Sequence, residues 1–412
     1  MRAQILLKTF LLISIFSLSS FAEESDRVLT LDEAIEVALE NNPGLLAQNA
    51  TVDAVQTRVR NAKSLFYPQI EFRFILPFVE RESGIFADQL IFDFGRTPNL
   101  VKASRANLES TEFERAATRE DVILNTKVAY YTVLAERRIV EAEEKSVAEN
   151  EKRLLQTKGF LRAGRVSRNE VTKAEVNLGN AKLRLINARN NLEIAKMRLA
   201  KAMGVEGDLN YEFKDELDYK KVDINLERAI STALEKRPEL KSLRAKEVGV
   251  RAELAASEKD LYFPIILGRA AYRFEGKGAT GPDFIAGIGL QFDIFRGFSD
   301  LAEVNQGRAN LRRSQAETES LRQEVILEIK RLYLDLKSAE ESIEVTEVSK
   351  ASAEGSMELA RERYRLGIGS EIELTEAESL LSSTLANHIQ AIYNYKITLA
   401  QLERAIGEDV EE

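Results

Sequence analysis

The chain has 412 residues, 44% hydrophobic and 30% charged, with a mean hydropathy of −0.25, a balance that excludes both a disordered chain and a polytopic helical membrane protein. Its 58 Lys and Arg against 67 Asp and Glu give a net charge of −9 with no basic block to track a phosphate backbone, which excludes nucleic acid as a partner. Cys is absent and His occurs once, so thiolate nucleophiles, disulfides and Cys/His zinc sites are excluded; no enzyme, cofactor or metal centre is expected.

The first residues read as an export address. Arg2 and Lys8 make a positive start, Phe10 to Leu18 is apolar, and Ser20-Phe21-Ala22 places small residues about a cleavage site, the pattern of a signal peptide over residues 1–22. The apolar run is shorter than the ~20 residues of a spanning helix. Cleavage removes Arg2 and Lys8 and takes the net charge from −9 to −11.

Residues 30–64 then predict helix, with Thr30 or Asp32 capping and Pro43 marking a kink or break. Pro68 ends that helix and the period changes to two. Ile70, Phe72, Phe74, Leu76 and Phe78 alternate with Gln69, Glu71, Arg73, Ile75 and Pro77. After a turn near Arg81 to Gly84, a second strand presents Phe86, Leu90, Phe92 and Phe94 on its expected apolar face, interrupted by Asp88. Residues 98–158 carry no Gly and, after the first residue, no Pro, so they predict a rod of roughly 90 Å at 1.5 Å per residue. A break at Gly164 precedes a returning helix, 170–203. There Ala174, Ala181, Ala188, Ala195 and Ala202 form one heptad column and Leu178, Leu185, Leu192 and Leu199 another, as in paired, supercoiled helices that approach closely along the small side chains.

The pattern then repeats. LDEAIEVALENNPGL at 31–45 returns as LERAISTALEKRPEL at 226–240, LFYP at 65–68 as LYFP at 261–264, LIFDFGR at 90–96 as LQFDIFRG at 290–297, VILNTKVAY at 122–130 as VILEIKRLY at 325–333, and AMG at 202–204 as AIG at 405–407. The domains expected are a first repeat over 23–204, a linker over 205–224, a second repeat over 225–407 and a tail over 408–412. In the second repeat a hairpin turning near Gly276 to Pro282 leads to Phe284, Ala286, Ile288, Leu290, Phe292 and Ile294 on one strand face, then a rod over 299–363, a break at Gly367 and Gly369, and a return over 373–406. Each returning helix is about half a rod, so it and the opening helix stacked end to end would match one.

Four strands of about eleven to thirteen residues suit tilted membrane-spanning β-strands, which need ~9 to 11. Four cannot close a barrel, and open edges in lipid are costly, so copies must share one. Two copies would give eight strands and a filled interior; three give twelve and room for water. Polar positions expected to face inward, Glu71, Arg73, Arg269, Arg273, Gln291 and Asp293, favour the second. Phe66, Tyr67, Phe92 and Phe94, with Tyr262, Phe263, Phe292, Phe295 and Phe298, fit an interfacial aromatic girdle or a junction core.

The duplicated LxxAIxxAL..xPxL, the YP strand entry, the FDxGR-like strand exit and the Gly-turn hairpins resemble the TolC-type outer membrane efflux proteins over nearly the whole mature chain. The resemblance implies a mainly α protein with a membrane β-barrel: a homotrimer whose twelve strands form a barrel in outer membrane lipid and whose rods form a long periplasmic α-helical barrel. It implies the passive exit duct of a tripartite efflux or type I secretion system, energised by an inner-membrane transporter and met at its hairpin tips by a periplasmic adaptor. Segment 205–224 resembles the family's equatorial segment. Gly164 and Gly367, flanked by Val166 and Ile368, resemble adaptor-docking tips, and Glu170, Glu373 and Glu376 match acidic positions of the periplasmic entrance. Helix-start carboxylates favoured by the helix dipole explain those three residues nearly as well. Other readings are a periplasmic coiled-coil adaptor, which would need all-β domains around a single hairpin, and a coiled-coil scaffold, which would need no amphipathic strands.

Three motifs are decoys. GKGATG at 276–281 satisfies GxGxxG but precedes Pro282 and a strand in place of a helix. DFG at 93–95 reads as the end of a strand, and His388 shares a heptad column with Leu185, which makes it a helix-seam residue.

Overall fold

A computed structural model of the chain describes residues 28–74, 83–207, 211–215, 218–273 and 283–408. The expected signal peptide over 1–22, the GKGATG loop and most of both hairpin turns lie outside those residues. The elements in order are β1 (Val28–Leu29), α1 (Leu31–Asn41), α2 (Pro43–Ser64), β2 (Gln69–Arg73), β3 (Gly84–Phe92), α3 (Arg96–Arg162), α4 (Arg168–Met203), β4 (Glu212–Phe213), α5 (Leu226–Lys236), α6 (Pro238–Tyr262), β5 (Ile265–Arg273), β6 (Asp283–Gln291), α7 (Ser299–Arg365) and α8 (Glu371–Ile406). The repeat is legible in their lengths: α3 and α7 have 67 residues each, α4 and α8 have 36, α1 and α5 have 11.

Local chemistry sets these boundaries. Thr30 and Glu33 close a reciprocal capping box on α1, with Thr30 Oγ1 accepting from the Glu33 N–H at 3.3 Å and Glu33 Oε2 accepting from the Thr30 N–H at 3.0 Å. Asn225 caps α5 through the Arg228 N–H at 3.0 Å. Pro43 and Pro238 lack an amide proton and so open new helices, which splits each opening segment in two. Rod α3 begins at Arg96, two residues before the expected start. Pro98 is tolerated there because first-turn N–H groups need no helical acceptor.

The chain forms two compact units, each drawing on both repeats. The first holds the described residues up to Asn42, Asn125–Lys220 and Ala339–Ile397. In it Ala174, Ala181, Ala188, Ala195 and Leu199 are buried along α4, as the heptad columns require. Gly204, at φ 71°, ends α4 so close to α1 that a Cβ would lie 2.5 Å from the Asn41 carbonyl oxygen, and the Asn42 side chain donates to the Ala202 carbonyl at 3.0 Å. The return helix thus meets the residues that lead into α2. Strands β1 and β4, two residues each, pair in parallel, and this pairing was not expected from sequence. The buried Tyr130 hydroxyl sits 2.9 Å from the Leu29 carbonyl and 3.0 Å from that of Lys214, and Arg138 pairs with Asp215 at 3.0 Å. These groups fasten the inter-repeat segment to α3.

The second unit holds Pro43–Leu124, Lys221–Ser338 and the described residues from Thr398 onward. Its antiparallel sheet runs β2-β3-β5-β6, so among the described residues β2 and β6 are edges. Residues opposite one another share a face. Glu71 opposes Phe86, Asp88 opposes Arg269, and Gly84 lies between Arg73 and Arg273. One face therefore carries Glu71, Arg73, Asp88, Arg269, Arg273 and Gln291; the other carries Ile70, Phe72, Ile85, Tyr272, Phe284, Ile288 and Leu290.

Several strand expectations change. Phe86 and Leu90 belong to the charged face, where the Arg73 guanidinium lies 5.1 Å from the Phe86 ring centroid. A bulge between Leu90 and Phe92 moves Phe92 to the opposite face, opposite Ile266. Phe94 has left the strand: at φ 53° it opens the turn into α3, in which Asp93 accepts from the N–H groups of Gly95 (3.2 Å) and Thr97 (2.6 Å). DFG is a cap, not a strand end. Asp293 and the residues around it, Phe292 and Ile294, also lie beyond β6, which stops at Gln291. Strand β3 spans nine residues, at the short end for a tilted spanning strand.

Candidate functional site

The two helix hairpins of the first unit end in tips with one backbone design. In the first, Gly164 at φ 70° follows α3; its N–H donates to the Leu161 carbonyl at 3.0 Å and the Arg165 N–H to the Phe160 carbonyl at 2.9 Å. In the second, Gly367 at φ 78° follows α7; its N–H donates to Tyr364 at 3.1 Å and the Ile368 N–H to Arg363 at 3.0 Å. Both are Schellman closures, which need a left-handed residue and so favour glycine at Gly164 and Gly367. Gly369 is required for a different reason: a Cβ would sit 2.9 Å from the Tyr364 nitrogen. Ser370 then caps α8 by accepting from the Glu373 N–H at 3.1 Å.

The expected entrance residues are spread over this end of the unit. Glu170 and Glu373 both sit in first turns, and each has a cation on its own chain: Lys173 lies 3.0 Å from Glu170, and Arg363 lies 3.0 Å from Glu373. Glu376 is exposed one turn further along α8. Val166 is half-buried, whereas Ile368 is 67% exposed. Of the barrel candidates, Glu71 and Arg73 pair with each other at 2.9 Å and Arg269 pairs across strands with Asp88 at 3.0 Å. With Arg273 they share one sheet face, as the alternation required.

Behind the tips lies a polar cluster that sequence reasoning missed. Arg153 and Asn150 on α3 both bind the Glu378 carboxylate on α8, and Arg153 is 6% exposed. One turn nearer the tips, the Thr157 hydroxyl is 3.5 Å from that of Tyr364 on α7. Burial pushes the Tyr364 phenol above its ordinary value, partly countered by Thr157 and reinforced by Glu371. The Glu371 side chain is itself buried, at the first turn of α8. These groups add polar ties among α3, α7 and α8 beside the apolar cluster of Met357, Ala360, Leu374 and Ala377, against which Tyr364 packs. Further along the seam His388 is buried against Thr346 of α7 at 3.2 Å, as its heptad column required. Among the described residues no group of three or more His, Cys, Asp or Glu is placed to hold a metal, and no helix is long and apolar enough to cross a membrane.

The chain is similar to the outer membrane efflux protein BepC of Brucella suis, 22% identical over 92% of this chain and 85% of the relative. It is also similar to the outer membrane protein TolC of Escherichia coli, 23% identical over 95% and 84%. Its fold superposes on a membrane protein from Pseudomonas aeruginosa with a TM-score of 0.81 at 16% identity, covering 92% of both chains. The Campylobacter jejuni CmeC outer membrane channel superposes at 0.79 and 18%, over 93% and 87%. The outer membrane efflux protein family itself matches residues 77–205 and 229–408, three quarters of the sequence, and the chain belongs to that family.

Proposed function

We propose that this protein is the outer-membrane exit duct of a tripartite efflux or type I secretion system. It passes small molecules or polypeptides outward without catalysis, and most of its mass lies in the periplasm. The observation that carries this reading is the sheet: four strands with an apolar face, a charged face and two open edges, continuous in sequence with helical hairpins. An open edge in lipid leaves backbone groups unpaired at several kcal/mol each, so copies must complete the sheet. Three copies make a twelve-stranded barrel whose lumen is lined by Glu71, Arg73, Arg269 and Arg273, with Ile70, Phe72 and Ile288 against lipid. Residues 1–22 direct export, and the repeats 23–204 and 225–407 supply equivalent parts.

In this reading the hairpin tips are the periplasmic entrance. Gly164, Val166, Gly367 and Ile368 meet an adaptor that links the duct to an inner-membrane transporter, and Glu170, Glu373 and Glu376 from three copies ring the opening. Rings of carboxylates favour cations in a narrow lumen. The purified assembly in a planar bilayer should show small conductance, cation preference and block by polyvalent cations from one side only. Glu373→Ala with Glu376→Ala should abolish that block. Block at full strength in the double variant would remove these residues from the entrance, and absence of any conductance would overturn the duct.

A further inference from the structure

The repeat makes the two tips directly comparable, and they differ in chemistry. With the offset of 203 that holds through the rods and returning helices, Arg162, Arg165 and Arg168 correspond to Arg365, Ile368 and Glu371. At the first tip all three guanidinium groups are exposed and, among the described residues, none meets an acid; Arg165 rests 5.1 Å over the ring of Phe160. Two carboxylates at the start of α4 pair with lysines, Glu170 with Lys173 and Glu175 with Lys158. At the second tip every arginine has a partner: Arg361 with Glu149, Arg363 with Glu373, Arg365 with Glu362. What that tip presents instead is apolar, with Leu366, Ile368 and Ile372 exposed at 62%, 67% and 58%. Their counterparts at the first tip are Ala163, Arg165 and Asn169.

Two tips with one backbone closure thus carry unlike surfaces, one cationic and one apolar. We infer that the periplasmic partner meets them with two chemistries: carboxylates toward Arg162, Arg165 and Arg168, and apolar side chains toward Leu366, Ile368 and Ile372. This rests on the tips being the docking end. Unpaired arginines held on a rigid, glycine-closed turn suit bidentate recognition of carboxylates. The stacking of Arg165 on Phe160 reduces the freedom it would lose on binding. A partner whose hairpins were alike in charge on both sides would leave one tip mismatched. The difference therefore also sets the rotational register in which the partner sits.

The test uses the full-length assembly in detergent and fluorescein-labelled deca-glutamate as the probe, read by anisotropy. Binding should weaken with salt, fall about tenfold or more in Arg162→Glu/Arg165→Glu/Arg168→Glu, fall less in the triple Arg→Lys variant, which keeps the charge and loses the planar fork, and be unmoved by Ile368→Ser. Equal binding by wild type and the triple Glu variant overturns the inference. In cells lacking the native gene, the triple Glu variant should reach the membrane at wild-type level and with the wild-type assembly mass yet fail to restore resistance to toxicants. Should it restore resistance while Gly367→Val does not, docking at the tips stands and the acidic partner surface falls. If both restore resistance, the docking reading falls with it.

Discussion

The Arg153–Glu378 contact offers the sharpest energetic test of how the tip end is held. Arg153 is 6% and Glu378 13% exposed, so both charges sit largely out of water, with Asn150 as a further donor to the carboxylate. Removing one partner of such a pair strands the other and costs about 3–5 kcal/mol, whereas replacing both by apolar groups of similar size is close to neutral. Arg153→Met should therefore loosen the contact between α3 and α8, and Arg153→Met/Glu378→Leu should restore most of the loss. Native-state hydrogen exchange resolves this by segment. For the amides flanking residues 150–157 and 374–381, 3–5 kcal/mol corresponds to exchange faster by between about a hundredfold and several thousandfold. A helix end freed this way should also raise single-channel conductance. The reasoning fails if exchange in the single variant matches wild type, or if the double variant is as loose as the single one.

The remaining expectations concern single side chains. Gly369→Ala should disturb the second tip by about 1–3 kcal/mol because its Cβ meets backbone at 2.9 Å, while Gly164→Ala, with nothing within 4 Å, bears only the ~1–2 kcal/mol of a left-handed alanine. Limited proteolysis at the two loops ranks them, and equal cutting contradicts the difference. Burial, then the Lys350 charge, hold the His388 imidazole below its ordinary value; Glu347 opposes and Arg138 adds to the depression. The unfolded chain takes up that proton first, so the histidine's contribution is complete above about pH 6.5 and is lost as pH falls below it. His388→Gln should flatten that part of the melting-temperature profile between pH 7 and 5, and an unchanged slope would exclude the residue. Tyr130→Phe removes the hydroxyl bonded to the Leu29 and Lys214 carbonyls, of which Leu29 keeps the Lys214 N–H at 3.2 Å, and should cost about 1 kcal/mol. Faster exchange confined to residues 211–215 and their neighbours would report it; an unmoved segment would not fit.

What sequence could show here was set by period and repetition. The rods, the returning helices and the glycine-closed tips follow from local pattern, and the buried alanines of α4 fall on their heptad column. The faces of β3 did not follow. Phe86 and Leu90 look like a lipid-facing pair, but pairing with β2 and β5 puts them beside Arg73 and Asp88, and only the bulge near Ile91 returns Phe92 to the apolar side. Cross-strand register is a long-range fact that period two leaves open. Arg153 and Glu378 stand 225 residues apart on helices rich in such residues, and nothing local separates a buried ion pair from a solvated face. Strands β1 and β4, at two residues each, are too short to carry any alternation.

The central claim is that several copies close the sheet that one leaves open. Light scattering or native mass spectrometry of the mature, detergent-extracted protein measures this directly. A single species with the mass of three chains is expected, and a monodisperse single chain would contradict closure by three copies.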